Sequence, residues 1–102
     1  MAIETKKLYL DFQRYKDQEV EINGWVRNNR SQKEFGFIDL NDGTAFETVQ
    51  VVYESTMENF KEISKFRVGS AITVKGKVVL TPEMKQPFEV KATQIILDGD
   101  SL

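Results

Sequence analysis

At 102 residues the chain has room for one domain with a single modest core, and 40% apolar with 29% charged residues place it among globular chains, not disordered ones. The formal net charge of -2 argues against a protein coated in basic residues for nonspecific duplex binding, so any nucleic-acid contact has to be local. With no Cys and no His, disulfides, thiolate or imidazole metal sites and the usual general base near neutral pH are all missing.

Residues 1–18 carry Leu8, Leu10, Phe12 and Tyr15, a mixed pattern that reads as a short helix or an extended lead-in packed on the body. The segment Met1 to Lys7 has no apolar run suited to export, and no stretch approaches the length needed to span a bilayer. The expectation is a cytoplasmic protein with no membrane partner. From Glu19 the alternation is clean: Val20, Ile22, Gly24 and Val26 face one way, Glu21, Asn23, Trp25 and Arg27 the other. This is strand one, and Gly24 in its middle predicts a bulge or bend at that point.

Strand two is expected from Phe35 to Leu40, followed by a reversal at Asn41-Asp42-Gly43. Strand three runs from Val49 to Tyr53, with Val49, Val51 and Tyr53 on the core side. Ser55-Thr56-Met57-Glu58 matches a capping box, so a helix is expected there with Met57, Phe60, Ile63 or Ser64, and Phe66 as its apolar stripe and Gly69 as its stop. Strand four is Ile72 to Leu80, and Thr81 to Pro87 forms a loop held by two prolines. Strand five starts with Phe88, Val90 and Ala92 inward, then changes phase at a bulge near Ala92-Thr93 so that Ile95 and Leu97 are buried. The class is all-β with one helix: a five-stranded OB-fold barrel with the helix between strands three and four. A single domain covers 1–102, with 1–18 as lead-in and 19–98 as barrel.

Ile38 and Leu40 lie on one face of strand two, which puts Phe35, Phe37 and Asp39 on the other. Aromatic rings on an outer strand face, just downstream of the positive island Arg27, Arg30 and Lys33, suit the stacking of unpaired bases and the holding of their phosphates. Gln50, with the same facing on the neighbouring strand, offers a donor and an acceptor to a base edge, and Arg27 or Arg30 offers a fork of donors. Each feature also has a plain structural reading. The rings pack well across strands, Trp25 serves equally as a lid over the barrel edge, Gln50 is a solvent-facing strand residue, and Lys85 and Gln86 are a solvated loop tip. Carboxylates at Asp39, Asp42, Asp98 and Asp100 show no pairing that points to acid–base work, so no catalytic residue and no metal ligand is nominated.

Three stretches, Gly24-Trp25-Val26-Arg27-Asn28-Asn29-Arg30, Phe35 to Gly43, and Val49-Gln50-Val51-Val52-Tyr53, together resemble the N-terminal anticodon-binding domain of one group of class II aminoacyl-tRNA synthetases. The group comprises the aspartyl, asparaginyl and lysyl enzymes, and the Leu40 to Thr44 turn is most similar to the asparaginyl branch. The resemblance covers essentially the whole chain. It implies that Phe37 stacks on the middle anticodon base, a uridine, that Gln50 bonds that base's edge, and that Arg30 assists. It places Trp25 and Arg27 near the anticodon stem and loop and nominates Glu83, Met84, Lys85 and Gln86 for the third anticodon letter, while Phe35 is a candidate through its strand facing alone. Asn28 and Asn29 depart from it, standing where aspartyl and lysyl relatives often carry basic residues.

The implied partner is a tRNA anticodon loop. The implied parent is an ATP-dependent asparagine-tRNA ligase, a homodimer whose ATP and magnesium belong to a catalytic domain beyond Leu102, leaving this chain a cofactor-free, monomeric piece excised from it. Alternatives are an aspartyl or lysyl counterpart, or a free-standing OB-fold module that binds single strands generally or docks its Trp25, Phe35 and Phe37 face on another protein.

Overall fold

The alternation that begins at Glu19 is realised as the longest strand of a closed barrel. The computed structural model describes residues 2–99 and arranges them as α1 (Thr5–Asp11), a 3-10 turn (Phe12–Tyr15), β1 (Glu19–Ser31), β2 (Phe35–Asn41), β3 (Val49–Glu54), α2 (Phe60–Ile63), β4 (Ala71–Leu80) and β5 (Phe88–Gly99). The strands neighbour one another in the order β1-β2-β3-β5-β4, and β4 returns to β1. Every pairing is antiparallel except β3 with β5, which run parallel through Val51↔Val90 and Val52↔Lys91. This is the expected OB-fold, with the helix between β3 and β4.

β1 serves two neighbours because it is long. Glu19 to Trp25 pair with β4, Trp25 to Ser31 with β2. The inward residues of all five strands, among them Ile22, Val26, Ile38, Leu40, Val51, Val74 and Val90, are fully buried and form one core. The lead-in proves helical. Leu8 of α1 is buried in that core, and the Tyr9 and Phe12 rings pack on Phe88 with centroids 5.0 and 5.9 Å away. Among the described residues no helix is long and apolar enough to cross a membrane.

Four local expectations need correction. The β1 bulge is not at Gly24 but at Arg27, where the register steps from Val26↔Leu40 to Asn28↔Asp39. Gly24 is required for a different reason: a Cβ there would lie 2.7 Å from the Asn41 carbonyl oxygen. The capping box does not form. The chain after β3 makes turns, α2 is a single turn beginning at Phe60, and Asn59, which precedes it, donates its side chain to the Ile95 carbonyl (3.0 Å) instead of capping. Asn41 stays in β2, so the reversal spans Asp42 to Thr48, with Gly43 at φ 84° and its N–H bonded to the Asn41 side chain (2.8 Å). The β5 bulge falls at Thr93 as expected and Ile95 is buried, but Leu97 is 42% exposed, at the end of β5 where a second register shift, at Asp98, breaks the regular pairing with β4. Asp100 lies outside the described residues.

Candidate nucleic-acid interface

The extra residue at Arg27 decides which side chains share the outer surface with Phe37. In strict alternation from Val20 and Ile22, Arg30 would face the core. With Arg27 bulged, Asn29 turns toward the barrel end and Arg30 turns outward, directly opposite Phe37. The Arg30 guanidinium carbon lies 5.5 Å from the Phe37 ring centroid, a cation–π contact. Phe37 is half-buried on the outside of the barrel, and Phe35 meets it edge-on, with centroids 5.2 Å apart and planes at 85°. The two rings brace each other and leave an accessible aromatic surface flanked by a cation.

Two contacts of the buried Tyr53 side chain hold that stretch in place. Tyr53 from β3 lies across Gly36, where any Cβ would overlap its Cζ, Oη and Cε1 atoms, so the residue between the two phenylalanines has to be glycine. The Tyr53 hydroxyl donates to Asn29 Oδ1 (2.7 Å), and Asn29 Nδ2 donates to the carbonyls of Ile63 (2.8 Å) and Phe66 (3.2 Å). Burial pushes the Tyr53 hydroxyl above its ordinary pKa, against the opposing effect of the Asn29 bond. Asn29 is thus a structural tie between β1, β3 and the C-terminal end of α2, which explains an asparagine at that position.

Gln50 shares the outer face but stands opposite Asp39, diagonal to Phe37, whose direct β3 partner is Val52. Its Nε2 reaches Glu89 Oε1 on β5 at 3.5 Å. Gln50 also lines a hollow of about 540 Å³ together with Tyr9, Asp39, Glu47, Lys85 and Gln86. The β4–β5 loop therefore brings Lys85 and Gln86 beside Gln50, while Glu83 and Met84 are exposed and do not line the hollow. Gln86 Nε2 is buried without a hydrogen-bond partner among the described residues. Tyr9 donates its hydroxyl to the Thr48 carbonyl (2.5 Å), and burial first, then the negative charges of Glu47 and Asp39, raise its pKa. The hollow is thus rich in acceptors. Asp39 lines it, and Glu89, a neighbour of Gln50 that sequence reasoning missed, comes into reach only through the closing of the barrel.

Trp25 is 49% exposed and sits opposite Asn41, four residues along β2 from Phe37, next to Gly43. The structure does not bring it to the Phe37 ring. Arg27 is exposed at the bulge, outside the paired register, and Lys33 is exposed in the β1–β2 turn.

The turn after β2 anchors the lead-in. Asp42 accepts from the Thr5 backbone (2.8 Å) and hydroxyl (2.6 Å) and from the Thr44 backbone (3.0 Å) and hydroxyl (2.6 Å). Burial acts to raise the Asp42 carboxyl, but these bonds outweigh it and hold it below the usual carboxylate range. Asp42 therefore caps α1 from a distance, since Glu4 makes no side-chain cap.

Comparison with known proteins agrees with the geometry. A family model described as an OB-fold nucleic acid binding domain, of the tRNA-anticodon type, matches residues 20–98. The asparagine–tRNA ligase of Alkaliphilus oremlandii is 49% identical over 100 residues, covering 98% of this chain and 22% of that protein. That of Acholeplasma laidlawii is 51% identical over 102 residues, again 22% of its length. The chain thus spans about a fifth of these relatives. Among solved structures, asparaginyl-tRNA synthetase from Pyrococcus horikoshii superposes with a TM-score of 0.85 at 19% identity, over 99% of this chain and 23% of that one. An OBody bound to hen egg-white lysozyme superposes at 0.77 and 16% identity, over 91% and 92%. These last two show the fold. The chain belongs to the tRNA-anticodon family of OB-fold nucleic acid binding domains.

Proposed function

We propose that the chain is the anticodon-binding domain of an asparaginyl-tRNA synthetase and binds a splayed GUU anticodon on the outer face of β1, β2, β3 and β5. The observation that carries this reading is the half-buried Phe37 ring outside the barrel, with Arg30 over it and Gln50 on the same face. A base freed from its stack gains about 1–3 kcal/mol on such a ring, whatever its identity. Identity is then read at the edge. The Gln50 amide matches the donor–acceptor edge of uridine, and Arg30 supplies a fork to a carbonyl or phosphate. The acceptor-rich hollow with Asp39 and Glu47 suits a flanking base that presents N–H donors, as guanine does. The exposed Lys85 supplies a donor at the same hollow for another letter, with Gln86 packed beside it. Ligase chemistry, with its ATP and magnesium, is assigned to the part of the longer protein outside this chain.

The test is titration with anticodon stem-loops that differ only in the middle base. The reading expects the uridine loop to bind most tightly, with affinity falling as salt rises. Equal binding of all four loops would make this a general single-strand binder, and binding insensitive to salt would favour an apolar docking face.

A further inference from the structure

On the far side of Phe37 from Arg30 two lysines face each other. Lys91 of β5 stands directly opposite Lys77 of β4, and both are exposed, while their neighbours Val78 and Val90 point into the core. Like charges directly opposite on an antiparallel pair destabilise the sheet. Among the described residues neither lysine closes an ion pair. Among the described residues the ion pair on this side joins Lys75 to Glu21 at 3.7 Å, and Glu19, opposite Lys77 on β1, closes no ion pair with it.

The register places this pair in line with the aromatic platform. Arg30, Phe37, Val52, Lys91 and Lys77 form one row across β1, β2, β3, β5 and β4, each opposite the next. The Lys91 backbone stands two strand spacings from that of Phe37, roughly 10 Å around the curve of the closed barrel. A nucleotide stacked on Phe37 carries a phosphate on each side, and the row offers a cation on each side. Glu34 and Glu54 share a shallow hollow with Lys91 without pairing to it.

We infer that Lys91 and Lys77 form a second phosphate-binding point, which takes the phosphodiester backbone of the single-stranded RNA as it leaves Phe37 toward β4. A phosphate between the two ammonium groups accepts from both and offsets much of their repulsion. The inference rests on the proposed RNA-binding reading and extends its track past β3 to the opposite side of the ring.

The test measures binding of a GUU anticodon stem-loop by the full chain over a range of salt, for the unaltered protein, the Lys77→Gln/Lys91→Gln double variant, the Lys77→Arg/Lys91→Arg double variant and Phe37→Ala. The glutamine pair should weaken binding by roughly threefold or more, by the same factor whichever base is in the middle, and lower the slope of log affinity against log salt by about 0.7. The arginine pair should keep the slope. If the glutamine pair changes neither affinity nor slope while Phe37→Ala weakens binding, the lysine site is wrong and the RNA reading stands. If the unaltered protein does not bind, or binds independently of Phe37, both fall.

Discussion

Arg30 and Phe37 meet across β1 and β2 because β1 carries one residue more than β2 between Val26 and Asn28. The bulge turns what would have been an interior arginine into the outer neighbour of the ring. Stacking surface and forked donor are therefore delivered as one preformed unit, held from beneath by Tyr53 over Gly36.

That unit requires a planar guanidinium. Arg30→Lys keeps the charge and loses the fork and the flat contact, so stem-loop affinity should fall while the salt dependence stays as it was. Titrations at two salt concentrations check this, and an Arg30→Lys affinity equal to that of the unaltered protein would contradict it.

Gly36→Ala should destabilise the fold by about 1–3 kcal/mol, through overpacking against the Tyr53 ring. Denaturant unfolding measures the loss. Pairing Gly36→Ala with Tyr53→Leu should cost less than the sum of the two single changes, since the nearest atoms to a Cβ at position 36 all belong to the Tyr53 ring.

Asn29 and Arg30 are sequence neighbours with separate work. Asn29→Ala leaves the Ile63 and Phe66 carbonyls and the Tyr53 hydroxyl without their partner and should cost about 1–3 kcal/mol of stability. The protein that remains folded should lose far less RNA affinity than Arg30→Ala does, since Asn29 turns away from the Phe37 face. Arg30→Ala should show the reverse, normal unfolding and weakened binding.

Asp42 links stability to pH. Its folded carboxyl titrates below the unfolded value of about 3.9, so its stabilisation is complete above that pH and is lost as pH falls through the folded value. Asp42→Ala removes the remote cap of α1 and should cost about 1–2 kcal/mol at pH 7. The difference from the unaltered protein should shrink as pH drops below about 4, as thermal melts across that range will show. A constant gap would mean that the carboxylate charge is not what Thr5 and Thr44 bind.

How far the sequence reads ahead of the structure depends on how local the cause is. Phe37 and Gln50 face outward because Ile38, Leu40, Val49 and Val51 on either side are core residues, and a period of two needs only neighbours. Arg30 escapes that logic. Its facing depends on a bulge at Arg27 that no glycine marks, while Gly24, where a bulge was expected, serves the close approach of Asn41. The capping-box pattern at Ser55 is overridden by turns, with Asn59 drawn to Ile95 on another strand. Glu89 and Lys91 sit on a strand that sequence places correctly, yet their nearness to Gln50 and Val52 comes from the parallel closure of β3 on β5, a register set by the whole barrel.

The account turns on the Phe37 ring as the seat of an unpaired base. Its most direct test is the dissociation constant of a GUU anticodon stem-loop for the unaltered chain and for Phe37→Ala at the same salt. The account predicts a loss of about 1–3 kcal/mol, roughly five- to 150-fold weaker binding, with the melting temperature little changed. Equal affinities for the two proteins would contradict it.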